Sequence, residues 1–273
     1  WCAVARKHPG PIIMKRLAGY SVLVTRPARQ AEGLCAAIKA EGAQAIRAPM
    51  IEIQPLVEQA KSARIIDAIE RYDKAIFISR NAVEFGLAGL AARKRTLNGV
   101  EVYAVGVGTA AELHAGGIEK VITPRDAYST EGLLKLGGLQ SAAVEGKHIV
   151  IFRGAGGRET LADTAEARCA DVDYCEVYKR SVPHLNVAEL LKEAGVAVPD
   201  IAVITSLEGA TNLADKIDDE GLDLLFDMQL LVVGARMGRE VEKLGFTNPP
   251  VIVDNPGDND VIETLTRWVM DEI

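Results

Sequence analysis

The sequence repeats itself at long range, and this repeat limits the fold more than any other feature. Three apolar segments of the first half return in the second half. With their counterparts they are Val22–Arg26 and Ile149–Arg153, Ala75–Ser79 and Ile201–Thr205, and Val102–Gly106 and Leu230–Gly234. The offset stays between 126 and 128 residues, which indicates one unit duplicated and fused. Two such lobes are expected to enclose a cleft, and ligands bind preferentially at domain interfaces.

Short β-branched segments alternate with helix-period segments in both copies. The predicted strands are Val22–Arg26, Gln44–Ala48, Ala75–Ser79, Glu101–Val105, Lys120–Thr123, Ile149–Arg153, Val172–Glu176, Ile201–Thr205, Gln229–Val233 and Pro250–Asp254. The predicted helices are Ala28–Glu41, Asn81–Leu90, Thr109–Ala115, Thr130–Leu136, Gly157–Arg168, Glu208–Asp215, Met237–Leu244 and Val261–Met270. This pattern is typical of an α/β fold with two similar three-layer α/β/α lobes, each on a five-stranded parallel sheet. Right-handed crossovers place all strand carboxyl ends on one edge, where open α/β sheets bind ligands.

Two extended, proline-bounded segments break the alternation at equivalent places in the two copies. They are Pro49–Pro55 and Cys175–Pro183. Proline at each end favours a linker over a helix. Two linkers at matching positions suggest that the chain leaves lobe one after two strands, builds lobe two and returns. Two sequential lobes remain the alternative at this point.

Composition excludes several classes of protein. The net charge is −7 and aromatic residues make up 5% of the 273 residues, which is unlike a nucleic-acid-binding protein. No apolar run approaches the roughly 20 residues that a membrane span needs. The cysteines form no Cys-x-x-Cys pair and no histidine lies at ligand spacing, so no metal site is predicted and buried, reduced thiols in the cytoplasm are expected. Residues 1–18 have no match in the second copy, and we expect them to be disordered or non-native.

Four turns that open predicted helices carry small hydroxyl residues or glycines. They are Ser79-Arg80-Asn81, Gly106-Val107-Gly108-Thr109, Ser129-Thr130 and Thr205-Ser206. Free N–H groups and the positive end of the helix dipole make such turns anion sites. Ordinary helix capping also explains each turn by itself, because Ser and Thr are common caps. Four of them on one edge of two lobes favour a polyanionic ligand.

Two glycine motifs are similar in part to dinucleotide-binding loops. A Rossmann loop needs its glycines at the first βα turn, with an acid about 20 residues later. Gly106-x-Gly108 follows the fourth strand of its copy, whereas Gly154-x-Gly156-Gly157 follows a first strand. The first copy has Pro27-Ala28-Arg29 at the matching place, so the duplicated unit does not share the glycines. A nucleotide-dependent enzyme is therefore a minor alternative.

Three further side chains are candidates for a functional role. Arg26 and Arg153 each close the first strand of a copy, where Arg can bind a carboxylate through two hydrogen bonds or can pair with a nearby acid of the protein. Tyr178 lies in the second linker. A linker Tyr usually packs, but one that faces the cleft is an uncharged acid suited to protonating a leaving group.

The motifs of the chain, taken together, resemble those of the uroporphyrinogen-III synthase family. The matching segments run in family order from about Tyr20 to Trp268. They are Val22–Pro27, Ala48–Gln54, Ala75–Val83, Val102–Thr109, Ser129–Leu133, Ile149–Gly154, Val172–Lys179 and Leu231–Met237. Each motif alone is weak, and the order and spacing of all of them carry the resemblance.

The resemblance implies strand-swapped lobes joined by a two-stranded linker. Lobe one would comprise residues 19–49 plus 184–273, lobe two residues 56–176, and the linkers residues 50–55 and 177–183. It also implies a cytoplasmic monomer, without a cofactor, that acts on hydroxymethylbilane, with a possible hand-over from hydroxymethylbilane synthase. Nucleic acid and membrane are not expected partners.

The reaction that the resemblance implies is ring closure with inversion of ring D. Water leaves the hydroxymethyl group, and the resulting azafulvene cation is attacked to give a spiro-pyrrolenine, which fragments and recloses. In this family a linker Tyr assists hydroxyl loss, and Tyr178 matches it. Met237 stands where a small hydroxyl residue is common, so a backbone contact is expected there. The full set of expected substrate-binding residues is Arg26, Ser79, Asn81, Gly106, Gly108, Thr109, Ser129, Thr130, Arg153, Ser206, Gly234 and Met237.

A different class of function stays open, since fold does not determine function. The rival is a non-enzymatic two-lobed protein that binds a small polyanion. Fusion to a DNA-binding or signalling module would favour the rival, and the sequence contains no such module.

Overall fold

The computed structural model describes residues 15–56, 59–125 and 127–271. The strands are β1 (Ser21–Val24), β2 (Gln44–Arg47), β3 (Glu52–Pro55), β4 (Lys74–Phe77), β5 (Glu101–Ala104), β6 (His148–Gly154), β7 (Asp171–Ser181), β8 (Ile201–Ile204), β9 (Gln229–Val233) and β10 (Val251–Val253). The α-helices are α1 (Glu32–Ala40), α2 (Ala60–Asp67), α3 (Arg80–Ala92), α4 (Val107–Ala115), α5 (Thr130–Leu134), α6 (Ser141–Val144), α7 (Thr160–Ala167), α8 (Val187–Ala194), α9 (Leu207–Glu220), α10 (Gly234–Val241) and α11 (Asp258–Asp271). Within these ranges, every helix is too short or too polar to cross a bilayer.

The chain divides into two compact units. Unit one contains the chain up to Glu52 and from Val182 onward, and unit two is Ile53–Ser181. Each unit contains one five-stranded sheet. Both unit boundaries fall inside the segments expected to be linkers, residues 50–55 and 177–183.

Unit one has the strand order β10-β9-β8-β1-β2, and every adjacent pair in it is parallel. The central strands β1 and β8 are entirely buried, which suits their continuous apolar sequences. Neighbouring residues of a strand point to opposite faces. Leu23 therefore joins one apolar cluster and Val22 and Val24 join the other, which gives a three-layer arrangement.

Unit two has the strand order β3-β7-β6-β4-β5, and β4, β5, β6 and β7 form parallel pairs. Ala75 and Phe77 contribute to one apolar cluster, whereas Ile76 contributes to the cluster on the other face. Phe77 stacks face to face on Phe152 of the next strand, with 4.5 Å between ring centroids. The predicted α/β class, with two five-stranded sheets that are mostly parallel, is confirmed.

Some predicted elements differ from the observed ones. Lys120–Thr123 is not a full strand, because only Ile122 bridges Tyr103 of β5 and Pro124 has no N–H with which to continue the ladder. The segment Glu52–Pro55, expected to be a linker, is β3 of the unit two sheet. Helices α2, α6 and α8 were not predicted, because α6 has only four residues and α2 and α8 are short amphipathic segments beside a proline-bounded stretch.

The structure adds detail at the second linker and differs from expectation in the amino-terminal segment. Strand β7 is continuous over Asp171–Ser181, so the extended segment that carries Tyr178 is the end of a long strand. Residues 1–14 lie outside the described part of the chain. Leu17 is 1% exposed within the unit one core, and Arg16 pairs with Glu41, so the expectation of disorder is wrong for residues 15–18. Cys169, expected to be a buried thiol in a helix, is exposed and follows α7.

Candidate functional site

The carboxyl ends of four parallel strands share one edge of the unit two sheet. Nine of the thirteen predicted site residues follow or end these strands, or open the helices beside that edge. They are Ser79, Asn81, Gly106, Gly108, Thr109, Ser129, Thr130, Arg153 and Tyr178. The other four, Arg26, Ser206, Gly234 and Met237, belong to unit one.

Tyr178 lies near the carboxyl end of β7, opposite Gly154 of β6. Its ring is part of the unit two core and the residue is 4% exposed. The ring of Phe85 lies 6.0 Å away at an interplanar angle of 31°. The hydroxyl oxygen lies 3.2 Å from Oγ of Ser79 at the start of α3. Tyr178 therefore combines a fixed ring with a hydroxyl held at the ligand-binding edge of the sheet.

The start of α3 follows directly from the end of β4. Ser79 caps this helix, and its Oγ accepts a hydrogen bond of 3.0 Å from the N–H of Ala82. Asn81 is half-buried in the first turn. Arg80 is exposed and forms no hydrogen bond or ion pair within the described residues. The edge thus carries an uncompensated cation next to a helix amino terminus, where anions are favoured.

The start of α4 lies beside Arg80. Gly106 is the residue before the helix, and its backbone is extended at φ −169°. Gly108 lies against the Arg80 guanidinium, since a Cβ added there would come within 2.7 Å of Nη2. Thr109 is buried in the first turn. The Arg80 guanidinium therefore lies beside the first turn of α4.

The start of α5 supplies the remaining hydroxyl groups. Ser129 caps the helix by accepting a hydrogen bond of 3.2 Å from the N–H of Gly132. Thr130 is half-buried at the first helical position. Hydrogen bonds from its own backbone and from Ser129 lower the pKa of Glu131, so this exposed carboxylate is charged at neutral pH. Its negative charge disfavours the binding of an anion directly beside it.

Arg153 ends the buried part of β6 and is 3% exposed. Its Nε donates to the carbonyl of Gly154 at 3.1 Å and its Nη1 to the carbonyl of Arg158 at 3.4 Å. The guanidinium stands over the Tyr174 ring, 4.4 Å from the centroid, and burial raises the pKa of that phenol. Within the described residues, no carboxylate pairs with Arg153. Its charge is buried without a counter-ion there, which is costly unless a ligand supplies one.

Arg26 has the same position in unit one but a different environment. It is 7% exposed, and its Nη1 pairs with Oδ1 of Asp258 at 2.5 Å. Its Nη2 donates to the carbonyl of Pro256 at 2.7 Å. Of the two roles considered for this Arg, the structure favours pairing with an acid of the protein. Arg26 ties the end of β1 to the start of α11.

The other predicted residues of unit one open helices. Ser206 caps α9 and accepts a hydrogen bond of 3.1 Å from the N–H of Gly209. Gly234 begins α10 with a φ of +76°, a conformation that favours glycine. Met237 packs its side chain against the unit one core. The Met237 side chain is thus partly buried against that core.

No metal centre is evident in the described part of the chain. Among those residues, no group of three or more His, Cys, Asp or Glu side chains converges on one point. The side chains at the unit two edge include the Tyr178 phenol, the Arg80 and Arg153 guanidinium groups and the Glu131 carboxylate.

The sequence reasoning missed several residues at this edge. Arg80 was not predicted as a site residue, although its charge in the turn after β4 was a usable signal in the sequence. Phe85 and Tyr174 carry no sequence signal, because only packing brings them against Tyr178 and Arg153. In the sequence, Gly154 stands out only as part of a glycine motif similar to a nucleotide-binding loop, and its contact with Tyr178 was not predicted.

Comparison with known protein families gives one consistent result. The family described as uroporphyrinogen-III synthase HemD matches residues 32–255. A uroporphyrinogen-III synthase of Escherichia coli strain K12 is 33% identical over 244 residues, which is 89% of this chain and 98% of that protein. The enzyme of the same name from Salmonella typhimurium strain LT2 is also 33% identical over 244 residues, with the same coverage.

Solved structures agree on the fold. A mutant uroporphyrinogen III synthase from the extremely thermophilic bacterium Thermus thermophilus superposes with a TM-score of 0.61 at 14% identity, over 93% of this chain and 100% of that one. The corresponding enzyme from Helicobacter pylori 26695 gives a TM-score of 0.55 at 16% identity, with the same coverage. At such identities the likeness concerns the fold alone, and it matches the arrangement of two five-stranded sheets described above.

Proposed function

Since the chain belongs to the uroporphyrinogen-III synthase family, we propose that it closes linear hydroxymethylbilane to uroporphyrinogen III with inversion of ring D. Family membership makes it an enzyme of tetrapyrrole biosynthesis and confirms the resemblance found in the sequence. Loss of water from the substrate would make it a lyase, of the hydro-lyase type. The rival, a non-enzymatic polyanion-binding protein, is not favoured by these relatives.

Tyr178 is the proposed acid for the first step. Its hydroxyl gives a proton to the departing hydroxyl group of the substrate, so that water and an azafulvene cation form. The substituted carbon of ring D attacks the methylene carbon of this cation and gives the spiro-pyrrolenine. The older bond from that ring carbon to its neighbouring methylene then breaks, and the freed methylene bonds to the unsubstituted carbon of ring D, which is thereby inverted. The proton lost from the terminal ring on closure restores the phenol. The single observation that supports this role is the Tyr178 hydroxyl at the carboxyl edge of the sheet, 3.2 Å from Ser79.

The helix starts of unit two are proposed to hold carboxylates of the substrate. Ser79, Asn81, Gly106, Gly108, Thr109, Ser129 and Thr130 supply capping hydroxyl groups and first-turn N–H donors. Arg153 adds the buried cation for which the described residues offer no carboxylate. Many weak contacts suit a reaction that depends on holding a flexible chain in one conformation.

Unit one contributes less charge in this proposal. Ser206, Gly234 and the Met237 backbone offer N–H donors at helix starts. Arg26 was expected to bind substrate, but Asp258 already neutralises it. We therefore assign Arg26 to the stability of unit one.

The cellular setting of the reaction is part of the same proposal. We propose that the protein acts as a monomer in the cytoplasm and takes its substrate from hydroxymethylbilane synthase. Two relatives that share its length are bacterial enzymes of the same name, which supports a setting among the other tetrapyrrole enzymes.

Isomer analysis tests the proposed function. Freshly prepared hydroxymethylbilane is mixed with the protein, and the uroporphyrinogens are oxidised and separated by chromatography. We expect mainly isomer III, whereas the same incubation without protein gives isomer I by simple closure. Isomer I at the rate of the protein-free control would refute the proposal.

A further inference from the structure

Gly154 lies where β6 and β7 change register. The ladder between these strands shifts between Arg153 and Gly154, and Gly154 is paired with Tyr178 rather than with its neighbour Val177. The N–H of Ala155 then donates to the carbonyl of Tyr178 at 2.7 Å. The backbone of Tyr178 is therefore fixed directly against the turn that Gly154 opens.

The ring of Tyr178 occupies the space that a side chain at position 154 would need. A Cβ added to Gly154 would lie 2.7 Å from Cζ, 2.8 Å from Cε2 and 3.1 Å from the hydroxyl oxygen of Tyr178. These distances are too short for carbon atoms in contact. Any residue other than glycine must therefore displace the part of Tyr178 that carries the hydroxyl.

Backbone conformation does not explain the glycine at this position. Gly156 and Gly157 have φ angles of +73° and +97°, which favour glycine for conformational reasons. Gly154 is absent from the positive-φ residues of the chain. At the offset that pairs Val22 with Ile149, its counterpart in the first copy is Pro27 and the counterpart of Tyr178 is Ile51. Glycine and tyrosine therefore occur together in the same copy, which points to the ring as the reason for the glycine.

The remaining contacts of the ring leave it little freedom. Phe85 packs against it at 6.0 Å between centroids, and Ser79 meets its hydroxyl. Ser79 is itself fixed, because it caps α3. A displaced ring would therefore lose its contact with Ser79 rather than carry Ser79 along.

We propose that Gly154 is a positioning residue, whose missing side chain places the Tyr178 hydroxyl at the start of α3. This inference rests on the proposed function, in which Tyr178 is the acid for loss of the substrate hydroxyl. It also gives the glycine motif of the second copy a purpose other than nucleotide binding.

The kinetic test uses Gly154→Ala, with Gly137→Ala as the matched control. Gly137 lies in the same unit, has no positive φ, and has open space where a Cβ would stand. We expect Gly154→Ala to lower kcat on the order of tenfold or more, with KM within about twofold, because misplacement by about 1 Å has large effects on a reacting group. Gly137→Ala should match the parent protein in both constants.

A double-substitution cycle separates positioning from general damage. If Gly154 acts through the Tyr178 hydroxyl, Gly154→Ala should change kcat little in a Tyr178→Phe background. Should Gly154→Ala alone melt too low to assay, Phe85→Leu removes a ring that packs against Tyr178 and so gives the Tyr178 ring more room. The Gly154→Ala/Phe85→Leu variant is then compared with Phe85→Leu. The proposal is overturned if Gly154→Ala has the same kcat as the parent. It is also overturned if Gly154→Ala lowers kcat by the same factor in the Tyr178→Phe background as in the parent.

A spectroscopic measurement keeps the inference testable if the proposed function fails. The contribution of Tyr178 to the near-ultraviolet circular dichroism is obtained by subtracting the spectrum of Tyr178→Phe from that of the parent. Gly154→Ala should alter this signal, and Gly137→Ala should not. The parent protein is tested separately for isomer III, and failure to form it refutes the proposed function. If the circular dichroism signal still changes in Gly154→Ala, the inference that Gly154 positions the Tyr178 ring is retained. An unchanged signal contradicts the inference in either case.

Discussion

Arg26 and Arg153 occupy the same position in the two copies, but they differ in what neutralises them. Arg26 at the end of β1 pairs with Asp258 and with the carbonyl of Pro256. Arg153 near the end of β6 meets two carbonyls and the face of Tyr174, and within the described residues no carboxylate compensates it. Unit one thus uses the duplicated Arg to join a strand to a helix, whereas unit two contains a buried cation that we propose pairs with a carboxylate of the substrate.

The same division of roles extends to other pairs of equivalent residues. Ser79 and Ser206 cap α3 and α9 in the same way, but only Ser79 also meets a phenol. Ile51 in the first copy corresponds to Tyr178 in the second. Duplication therefore preserved the helix starts and the fold, and the copies diverged in the side chains placed between them. The comparison predicts that substitutions in unit two change catalysis and that their counterparts in unit one change stability.

Tyr178→Phe should give the largest effect. Removing the hydroxyl takes away the proposed acid, and general acid catalysis contributes roughly 10²- to 10⁴-fold. We expect kcat for isomer III to fall by a factor in that range, with a Tm close to that of the parent because the ring remains. The control is Tyr72→Phe, which loses a hydrogen bond of 2.7 Å to Asp173 at the amino end of the strands. Equal activity in the parent and Tyr178→Phe would remove Tyr178 from the acid role.

Arg153→Met and Arg26→Met test the central contrast directly. A hydrogen bond to a charged group contributes about 1.5–3 kcal/mol, so Arg153→Met should raise KM at least roughly tenfold. Arg26→Met leaves Asp258 without its partner and should lower the free energy of unfolding by about 1–3 kcal/mol, with KM unchanged in the folded protein. Steady-state kinetics and urea denaturation of both variants measure these quantities. The contrast fails if Arg26→Met raises KM as much as Arg153→Met does.

Ser79→Ala and Ser206→Ala sharpen the comparison at the helix starts. Loss of a cap costs about 1 kcal/mol, so both variants should lose similar stability. Only Ser79→Ala also removes the hydrogen-bond partner of Tyr178, so it should lower kcat by a further factor of roughly three to ten. Thermal melting gives the first quantity and isomer III formation the second. Identical kcat values for the two variants would mean that Ser79 does no more than cap its helix.

The smallest effect is expected from Glu101, which lies at the amino end of β5. Burial tends to raise the pKa of Glu101, but hydrogen bonds from Lys74 and Tyr103 outweigh it, so the pKa is lowered. Such a carboxylate stabilises the fold above the unfolded pKa of about 4.3, and this contribution is lost as the pH falls through the folded value. Because Glu101 is partly exposed, Glu101→Gln should cost less than about 1 kcal/mol at pH 7 and nothing at pH 3. Urea denaturation at the two pH values measures the difference, and an equal loss at both would exclude this ion pair as the cause.

Much of the fold followed from the residue pattern. Strands such as Ile201–Ile204 are continuous apolar runs, which only a sheet covered on both faces accommodates. The repeat and the order of motifs identified the family, which the comparisons confirm. The pattern did not identify β3, since Glu52–Pro55 has the composition of a linker and becomes a strand only because β7 offers it hydrogen bonds.

The candidate site was predictable in part. The positions after strands were identified because parallel topology places them on one edge, and the roles proposed for them remain predictions. The sequence could not rank Arg26 against Arg153, since the distinction depends on Asp258, which lies 232 residues from Arg26 in the chain. Nor could it assign Gly154, whose requirement comes from a ring in the neighbouring strand.

By itself, the sequence determined the duplicated α/β architecture, the family and the edge that carries the turns proposed to bind the ligand. These depend on local period, on turn chemistry and on the order of motifs, all of which can be read along the chain. Tertiary structure alone decided which Arg is neutralised, which Ser meets Tyr178 and why residue 154 has no side chain. These depend on contacts between residues distant in sequence, where a few ångströms determine whether a charge is paired or a ring is fixed.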